Sequence, residues 1–223
     1  MSENLLKELN IEELRKRFLK YTRKAFQMLP KMDKPHILDI GCGTGIPTIE
    51  LARLSNGVII GIDIDQDALD KLNLKIKKKG LSSRVKIINC SLYKTEFLDE
   101  NFDIIWDEGV IHILDLKKSL KECSRLLRPN GFLVIGEMIE WIKDKFEIFS
   151  QFGFKLINQF LLPEKCWWTD YYKPLEKRIK ELRKKYQRSE YFGKLTQHER
   201  EIKMVKKNPK KFDCGFYIMQ KIN

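Results

Sequence analysis

The sequence predicts an α/β fold: a mostly parallel sheet with helices on both of its faces. Three observations carry that expectation. Residues 34–65, KPHILDIGCGTGIPTIELARLSNGVIIGIDID, read as strand, glycine turn, helix, strand and terminal acid, which is one βαβ unit. Beyond it, apolar runs of strand length alternate with segments whose apolar residues recur at helical spacing. The 223 residues suffice for one domain with a sizeable core.

Taken in order, residues 3–29 read as a leading helix. Asn10 with Glu13 makes a capping box, Leu14, Phe18, Tyr21, Ala25 and Met28 form its apolar face, and Pro30 ends it. Ile37 to Ile40 is the first strand, Gly41-Cys42-Gly43-Thr44-Gly45 the turn, and Pro47 suits the first turn of the helix over 48–54. The second strand, 58–62, ends in Asp63. A helix over 67–79 follows, with Leu69, Leu72 and Ile76 on one face and Gly80 as its stop. Residues 84–89 and 102–106 are the third and fourth strands, the fourth running out into Asp107-Glu108-Gly109 and then Val110, Ile111 and His112. A helix over 119–127, the turn Pro129-Asn130-Gly131 and a fifth strand over 132–138 come next. A short helix over 143–152, broken by Gly153, leads to a sixth strand over 154–162. An insertion of two helices, 164–211, precedes a seventh strand over 212–222.

The glycines of the turn accept positive φ and let a ligand approach the backbone, and the N–H groups of the following helix start can hold a polar group. Asp63, at the tip of the second strand, is placed to accept both hydroxyls of a ribose. The unit therefore reads as a site for an adenosine-containing cofactor.

Composition bounds the rest. No stretch reaches transmembrane length, and the N-terminal residues lack the shape of a signal peptide, so a soluble cytoplasmic protein is expected. The five cysteines, 42, 90, 123, 166 and 214, form no CxxC pair and indicate neither a disulfide framework nor a metal site. The net charge of +12 is unevenly placed. Residues 35–163 are near neutral, whereas residues 164–211 hold sixteen Lys/Arg against seven Asp/Glu. That segment is either a solvated lysine-rich surface or a face for nucleic acid.

The dinucleotide fingerprint wants a third glycine where Ile46 stands. The pattern Asp39-x-Gly41-x-Gly43-x-Gly45, GIDID at 61–65, Asn101-Phe102-Asp103-Ile104-Ile105 and Arg125-Leu126-Leu127-Arg128-Pro129-Asn130-Gly131 instead resemble, in order, the landmarks of the class I S-adenosylmethionine-dependent methyltransferases, over roughly residues 35–140. The resemblance implies a Rossmann-like seven-stranded, mostly parallel sheet whose last strand is antiparallel. It implies a single domain, 1–223, made of an N-terminal helical cap (1–33), a cofactor core (34–163 and 212–223) and a substrate-side helical insertion (164–211). It implies S-adenosyl-L-methionine as cofactor and a methyl group delivered by in-line displacement. The cofactor contacts it implies are Asp39, Gly41, Cys42, Gly43, Thr44, Gly45, Asp63, Ile64, Ser91, Leu92 and Trp106, with Ser91 standing where the family usually carries the aspartate that binds the adenine amino group.

The tip of the fourth strand is where the family places its reacting centre, so Asp107, Glu108 and His112 are the catalytic candidates, as proton acceptors or as partners of a cationic substrate. His112 fits equally a helix position packed on the sheet. Glu137, Trp141, Trp167, Trp168, Tyr171 and Tyr172 are substrate-contact candidates, the aromatic four fitting equally the packing of the inserted helices. A small-molecule acceptor is the first expectation. An RNA methyltransferase using the basic segment and a non-catalytic cofactor-binding protein are the alternatives.

Overall fold

Seven strands form one sheet: β1 (His36–Ile40), β2 (Val58–Asp63), β3 (Val85–Asn89), β4 (Phe102–Glu108), β5 (Leu127–Met138), β6 (Phe154–Leu161) and β7 (Cys214–Lys221). Their order is β3-β2-β1-β4-β5-β7-β6. The structure, a computed structural model, describes residues 8–186 and 192–222. Neighbours from β3 through β5 pair in parallel, and β7 runs antiparallel to both β5 and β6. This is the mostly parallel, Rossmann-like sheet with an antiparallel last strand that the sequence implies.

The chain divides into two units. Leu19–Leu161 with Cys214–Asn223 form a sheet unit, and Met1–Phe18 with Leu162–Asp213 form a helical unit. The sheet unit carries α2 (Leu19–Gln27), α3 (Ile46–Leu54), α4 (Gln66–Lys78), α5 (Leu116–Leu126), α6 (Ile139–Ile142) and α7 (Phe146–Gln151). The helical unit carries α1 (Ile11–Lys16), α8 (Lys173–Lys185) and α9 (Phe192–Lys207).

Parallel register decides what each sheet face buries. Leu38 is level with Ile105 and Ile105 with Leu133, so these point to one face, with Ile40 and Ile135 two residues on. They form a core with Leu120, Cys123 and Leu126 of α5. Ile37, Ile104 and Phe132 alternate onto the other face. At about 25 cal/mol per Å² of apolar surface, such two-sided burial dominates the stability of the unit.

Local signals set the helix ends. Asp65 caps α4 by accepting from Ala68 N (3.1 Å). Gly80 (φ +66) closes it, with Gly80 N donating to Lys77 O (3.1 Å) and Leu81 N to Ile76 O (3.0 Å). Asp115 caps α5 by accepting from Lys118 N (3.0 Å), so this helix begins at Leu116 rather than at the expected 119.

Two expectations for the leading segment are corrected. The helix read over 3–29 is interrupted at Arg17 and Phe18, where Arg17 N and Phe18 N donate three residues back, to Leu14 O (3.2 Å) and Arg15 O (3.0 Å). The cause is packing: Phe18 stacks on Trp167 at 4.3 Å inside the helical unit, whereas Tyr21, Thr22 and Ala25 of α2 are buried in the sheet unit. Asn10 does not cap; it takes φ +49 and its side chain makes no cap bond, so no capping box forms with Glu13. Residues 3–7 of that expected helix, and residues 187–191 of the expected two-helix insertion, lie outside the described residues.

In the helical unit, Leu14 of α1, Leu175, Ile179 and Leu182 of α8, and Leu195, Ile202 and Val205 of α9 are buried. Arg178 donates to Leu9 O (3.0 Å) and Asn10 O (2.9 Å), and Arg183 forks onto Glu199 (2.5 and 2.7 Å). Among the described residues, no helix is long and apolar enough to cross a membrane.

Candidate functional site

The sheet order reverses between β1 and β4: β2 and β3 lie to one side, β5 to the other. In open α/β sheets a ligand crevice forms outside the carboxyl ends of the strands at such a point. The glycine turn follows β1 there, and Gly41, Gly43 and Gly45 all take positive φ (+63, +49 and +81). Their surroundings differ. A Cβ on Gly41 would lie 2.4 Å from Val110, just past β4, and one on Gly45 would lie 2.0 Å from Leu72 of α4. A Cβ on Gly43 would meet nothing nearer than 3.9 Å. Gly41 and Gly45 let neighbouring elements close in, and Gly43 faces open space.

The turn is tied down by its backbone. Cys42 N donates to Ile62 O (3.0 Å), Gly45 N to Cys42 O (2.8 Å), and Thr44 O accepts from Lys75 Nζ (2.9 Å). The Cys42 side chain is buried against Gly61, where a Cβ would sit 2.9 Å from its sulfur. Burial pushes its thiol up, so it is an inert packing group and not a pocket-facing one.

Asp63 stands beside the turn. Its Oδ2 accepts from Gly43 N (2.7 Å) and its Oδ1 from Asp65 N (2.9 Å). Each oxygen keeps a second acceptor position, so a fixed, partly exposed carboxylate remains able to take two hydroxyls. Ile64 next to it is 75% exposed, an open apolar surface beside the acid. Ser91 Oγ accepts from Tyr93 N (3.3 Å) and starts the turn Leu92–Lys94. Leu92 itself is packed in the core, which removes its side chain from the expected contacts.

Four more carboxylates gather at this edge. Asp39 is buried and accepts from Thr48 Oγ1 (2.6 Å) at the start of α3; burial, reinforced by Glu108, Asp107 and Asp63, pushes its pKa up to about 8. It acts on the helix start rather than as an exposed contact. Asp107 is 1% exposed; Oδ1 accepts from Val110 N (3.3 Å) and Oδ2 has no partner. Burial raises it to about 7, against the pull of the Val110 and Ile111 amides. Glu108 Oε1 accepts from both Thr22 Oγ1 and Trp106 Nε1, each at 2.8 Å, and burial raises its pKa.

Trp106 corrects another expectation. It is fully buried, with ring centroids 6.4 Å from Phe26 and 6.3 Å from Phe216, so it holds Glu108 instead of touching a cofactor.

The structure brings together two candidates that lie 25 residues apart. His112, in the turn Ile111–Ile113 after β4, meets Glu137 near the end of β5, with Nδ1 to Oε2 at 2.8 Å. Glu137 Oε1 accepts from Met138 N (2.7 Å), and the residue is 2% exposed. A carboxylate acceptor requires the proton on Nδ1, so that in the neutral ring it is Nε2 that carries the lone pair. Both Glu137 oxygens thus have protein partners, and the carboxylate faces His112 rather than open space.

The aromatic candidates are already engaged. Trp141 carries Lys145 Nζ over its ring at 4.7 Å, and its carbonyl accepts from the same ammonium. Trp167 stacks on Phe18, Trp168 lies 5.6 Å from Lys206 Nζ, and Tyr171 and Tyr172 are buried edge to face, with Tyr172 Oη donating to Glu201 Oε1 (2.7 Å). Tyr171 and Tyr172 lie in the interior of the helical unit, which overturns their expected substrate contacts, while Trp167 and Trp168 are only half-buried. In the same unit Lys180 and Lys206 pair with Glu176, Arg183 with Glu199 and Lys210 with Glu164, so part of the basic excess is answered internally.

Sequence reasoning missed Thr48 and Thr22. Thr48 could have been found from its place in the first turn after the glycines; Thr22 has no such signal, since its partner lies 86 residues away.

A Rossmann-like sheet with a glycine turn and a strand-tip acid flanking its reversal point is a nucleoside-cofactor fold. Residues 38–135 match the model of a methyltransferase domain. The 27-O-demethylrifamycin SV methyltransferase of Amycolatopsis mediterranei is 29% identical over 119 residues, covering 53% of this chain and 44% of that protein. The chain thus spans less than half the length of that curated relative. Among solved structures, the cyclase SpnF aligns with a TM-score of 0.77 at 17% identity, covering 91% of this chain and 80% of that one. A methyltransferase from Geobacter sulfurreducens, solved with S-adenosyl-L-homocysteine, aligns at 0.70 and 16% identity, covering 91% and 90%. Over residues 38–135 the chain is thus similar to methyltransferase domains, and its fold is shared with an S-adenosylmethionine-dependent methyltransferase.

Proposed function

We propose that this chain moves a methyl group from S-adenosylmethionine to a small-molecule acceptor by in-line displacement. The observation that carries the reading is Gly43, open to the crevice and bonded to a fixed Asp63 at the reversal of sheet order. The acceptor class is supported by the rifamycin named for the relative above. Because the same fold also serves a cyclase, fold alone does not choose the reaction.

When bound, the cofactor supplies a methyl group already activated by its sulfonium leaving group. The backbone around Gly43 and Gly45 would take its amino-acid end, Asp63 its ribose hydroxyls, and Ile64 with the backbone at Ser91 the adenine. What the protein must add is alignment, exclusion of water and, for an acceptor that starts out protonated, a base. His112, held by Glu137, is that base, taking the proton at Nε2. A cytoplasmic setting belongs to this reading, supported by five cysteines that are all free thiols.

Isothermal calorimetry with S-adenosylhomocysteine tests the assignment. The wild type should bind and Asp63→Ala should bind at least about tenfold more weakly, the worth of roughly one charge-assisted hydrogen bond. Equal affinity would remove the ribose from Asp63.

A further inference from the structure

We propose that the acceptor side of this crevice is built for an ammonium group, with Glu108 and Asp107 as its acidic partners. The proposal rests on the methyl-transfer reading and names the substrate class of the same site. Asp39, Asp63, Asp107, Glu108 and Glu137 stand at the carboxyl edge of the central strands, and among the described residues no lysine or arginine pairs with any of them. The chain holds 43 Lys and Arg, and elsewhere its acids commonly find them, as at Glu50, Glu122, Glu176 and Glu199. These five acids are thus left without a described lysine or arginine partner in a strongly cationic chain, although Lys75 Nζ reaches Thr44 O of the glycine turn (2.9 Å). The cofactor offers one net positive charge, and a second cation would draw Asp107, which burial holds toward its neutral form, back to the carboxylate.

Two atoms point to what does. Asp107 Oδ2 is buried and has no donor, a state that costs about 1–3 kcal/mol for an ordinary polar atom and more for a charged one. Glu108 is locked on one oxygen by Trp106 and Thr22, while its Oε2 has no partner among the described residues and is not among the buried unsatisfied atoms. A carboxylate clamped on one side and open on the other is oriented before its ligand arrives. Register sets the two acids side by side at the tip of β4 but on opposite sheet faces, so they flank the edge. An ammonium must lose one proton before its nitrogen has a lone pair to give. His112 is bonded to Glu137 on the Asp107 face and, in its neutral ring, carries a lone pair on Nε2 to receive that proton. A hydroxyl acceptor can donate a hydrogen bond to these acids but brings no positive charge for them to answer.

The test titrates matched ligands onto the protein saturated with S-adenosylhomocysteine: benzylamine against benzyl alcohol, and ethanolamine against ethylene glycol, read by ligand-observed NMR. The expected result is an ammonium preference of at least tenfold in one pair, falling to below threefold in Glu108→Gln, whose amide oxygen can still accept from Trp106 and Thr22. No measurable ammonium binding, or no preference over the alcohol in the wild type, overturns the proposal, and that arm decides even if Glu108→Gln does not fold. Absence of heat with S-adenosylhomocysteine itself sinks the methyl-transfer reading instead. The same ligand pairs titrated onto the free protein then decide the ammonium site alone.

Discussion

Gly43 and Gly45 lie two residues apart with positive φ, yet substitution should separate their roles. Any L-residue at either position incurs about 1–2 kcal/mol for the left-handed backbone. For Gly43→Ala that is nearly the whole structural cost, because the new methyl projects into space with no atom within 3.9 Å. The variant should fold, with a melting temperature a few degrees down, and bind S-adenosylhomocysteine at least about tenfold more weakly, since the methyl occupies the backbone's approach to its ligand. Gly45→Ala drives a methyl to 2.0 Å from Leu72 Cδ1 and should destabilise by a further amount, about 1–3 kcal/mol. Trimming that neighbour, as Gly45→Ala with Leu72→Ala, should recover part of the overpacking loss but not the backbone term, which differential scanning calorimetry on the cycle can separate. Equal behaviour of the two single variants would mean that the crevice does not open at Gly43. The spacing of the glycines was legible in the sequence; which of them faces a ligand was not, because it depends on Val110 and Leu72, brought up by other elements.

At the scale of elements, α3 shows what local patterns miss. Its start is written in the sequence, glycine then proline. Its end is held by Arg84, just before β3, whose guanidinium donates to Ala52 O (2.8 Å), Ser55 O (3.0 Å) and Gly57 O (3.3 Å). These are carbonyls at and just past the last turn of the helix, and a cation also suits the negative end of its dipole. Arg84→Ala should cost about 2–3 kcal/mol in urea unfolding with an unchanged m-value and speed amide exchange over residues 53–55. S-adenosylhomocysteine affinity should stay within about twofold, because the glycine turn sits at the far end of α3. A large loss of binding would couple the two ends and contradict the picture of a locally held helix. The strands, their alternation and the acid after the second were readable because each is a local apolar pattern with a terminator. The break at Arg17 and Phe18, the unused cap at Asn10 and the inward packing of Tyr171 and Tyr172 were not, since each is decided by partners more than 100 residues away or by a face chosen only in three dimensions. The His112–Glu137 pair falls between: both residues were singled out, and only the register of β4 with β5 shows that they meet.

For the molecule as a whole, the buried acids make stability depend on pH in a direction opposite to that of its surface ion pairs. Asp39, ordinarily near 3.8, is pushed up to about 8, and Asp107 to about 7, both mainly by burial. Between the ordinary and the raised values the folded state binds more protons than the unfolded chain, so unfolding free energy falls as pH rises. The contribution of these two groups is fully present below about pH 4 and is lost progressively up to about pH 8. Glu122, Glu176 and Glu201 behave oppositely: hydrogen-bonded partners hold them below 4.5, and their contribution is lost only as pH falls through the acid range. The two windows barely overlap, so the difference between an Asn variant and the wild type from pH 5 to 8 isolates each crevice acid. Asp39→Asn keeps an acceptor for Thr48 and Asp107→Asn keeps one for Val110, while neither can ionise. Relative to the wild type, each variant should gain stability steadily from pH 5 to pH 8, seen as a flatter plot of melting temperature against pH. Their slopes should differ in where they flatten, about one pH unit later for the Asp39 site. Curves parallel to the wild type would mean that both acids ionise normally in the folded protein.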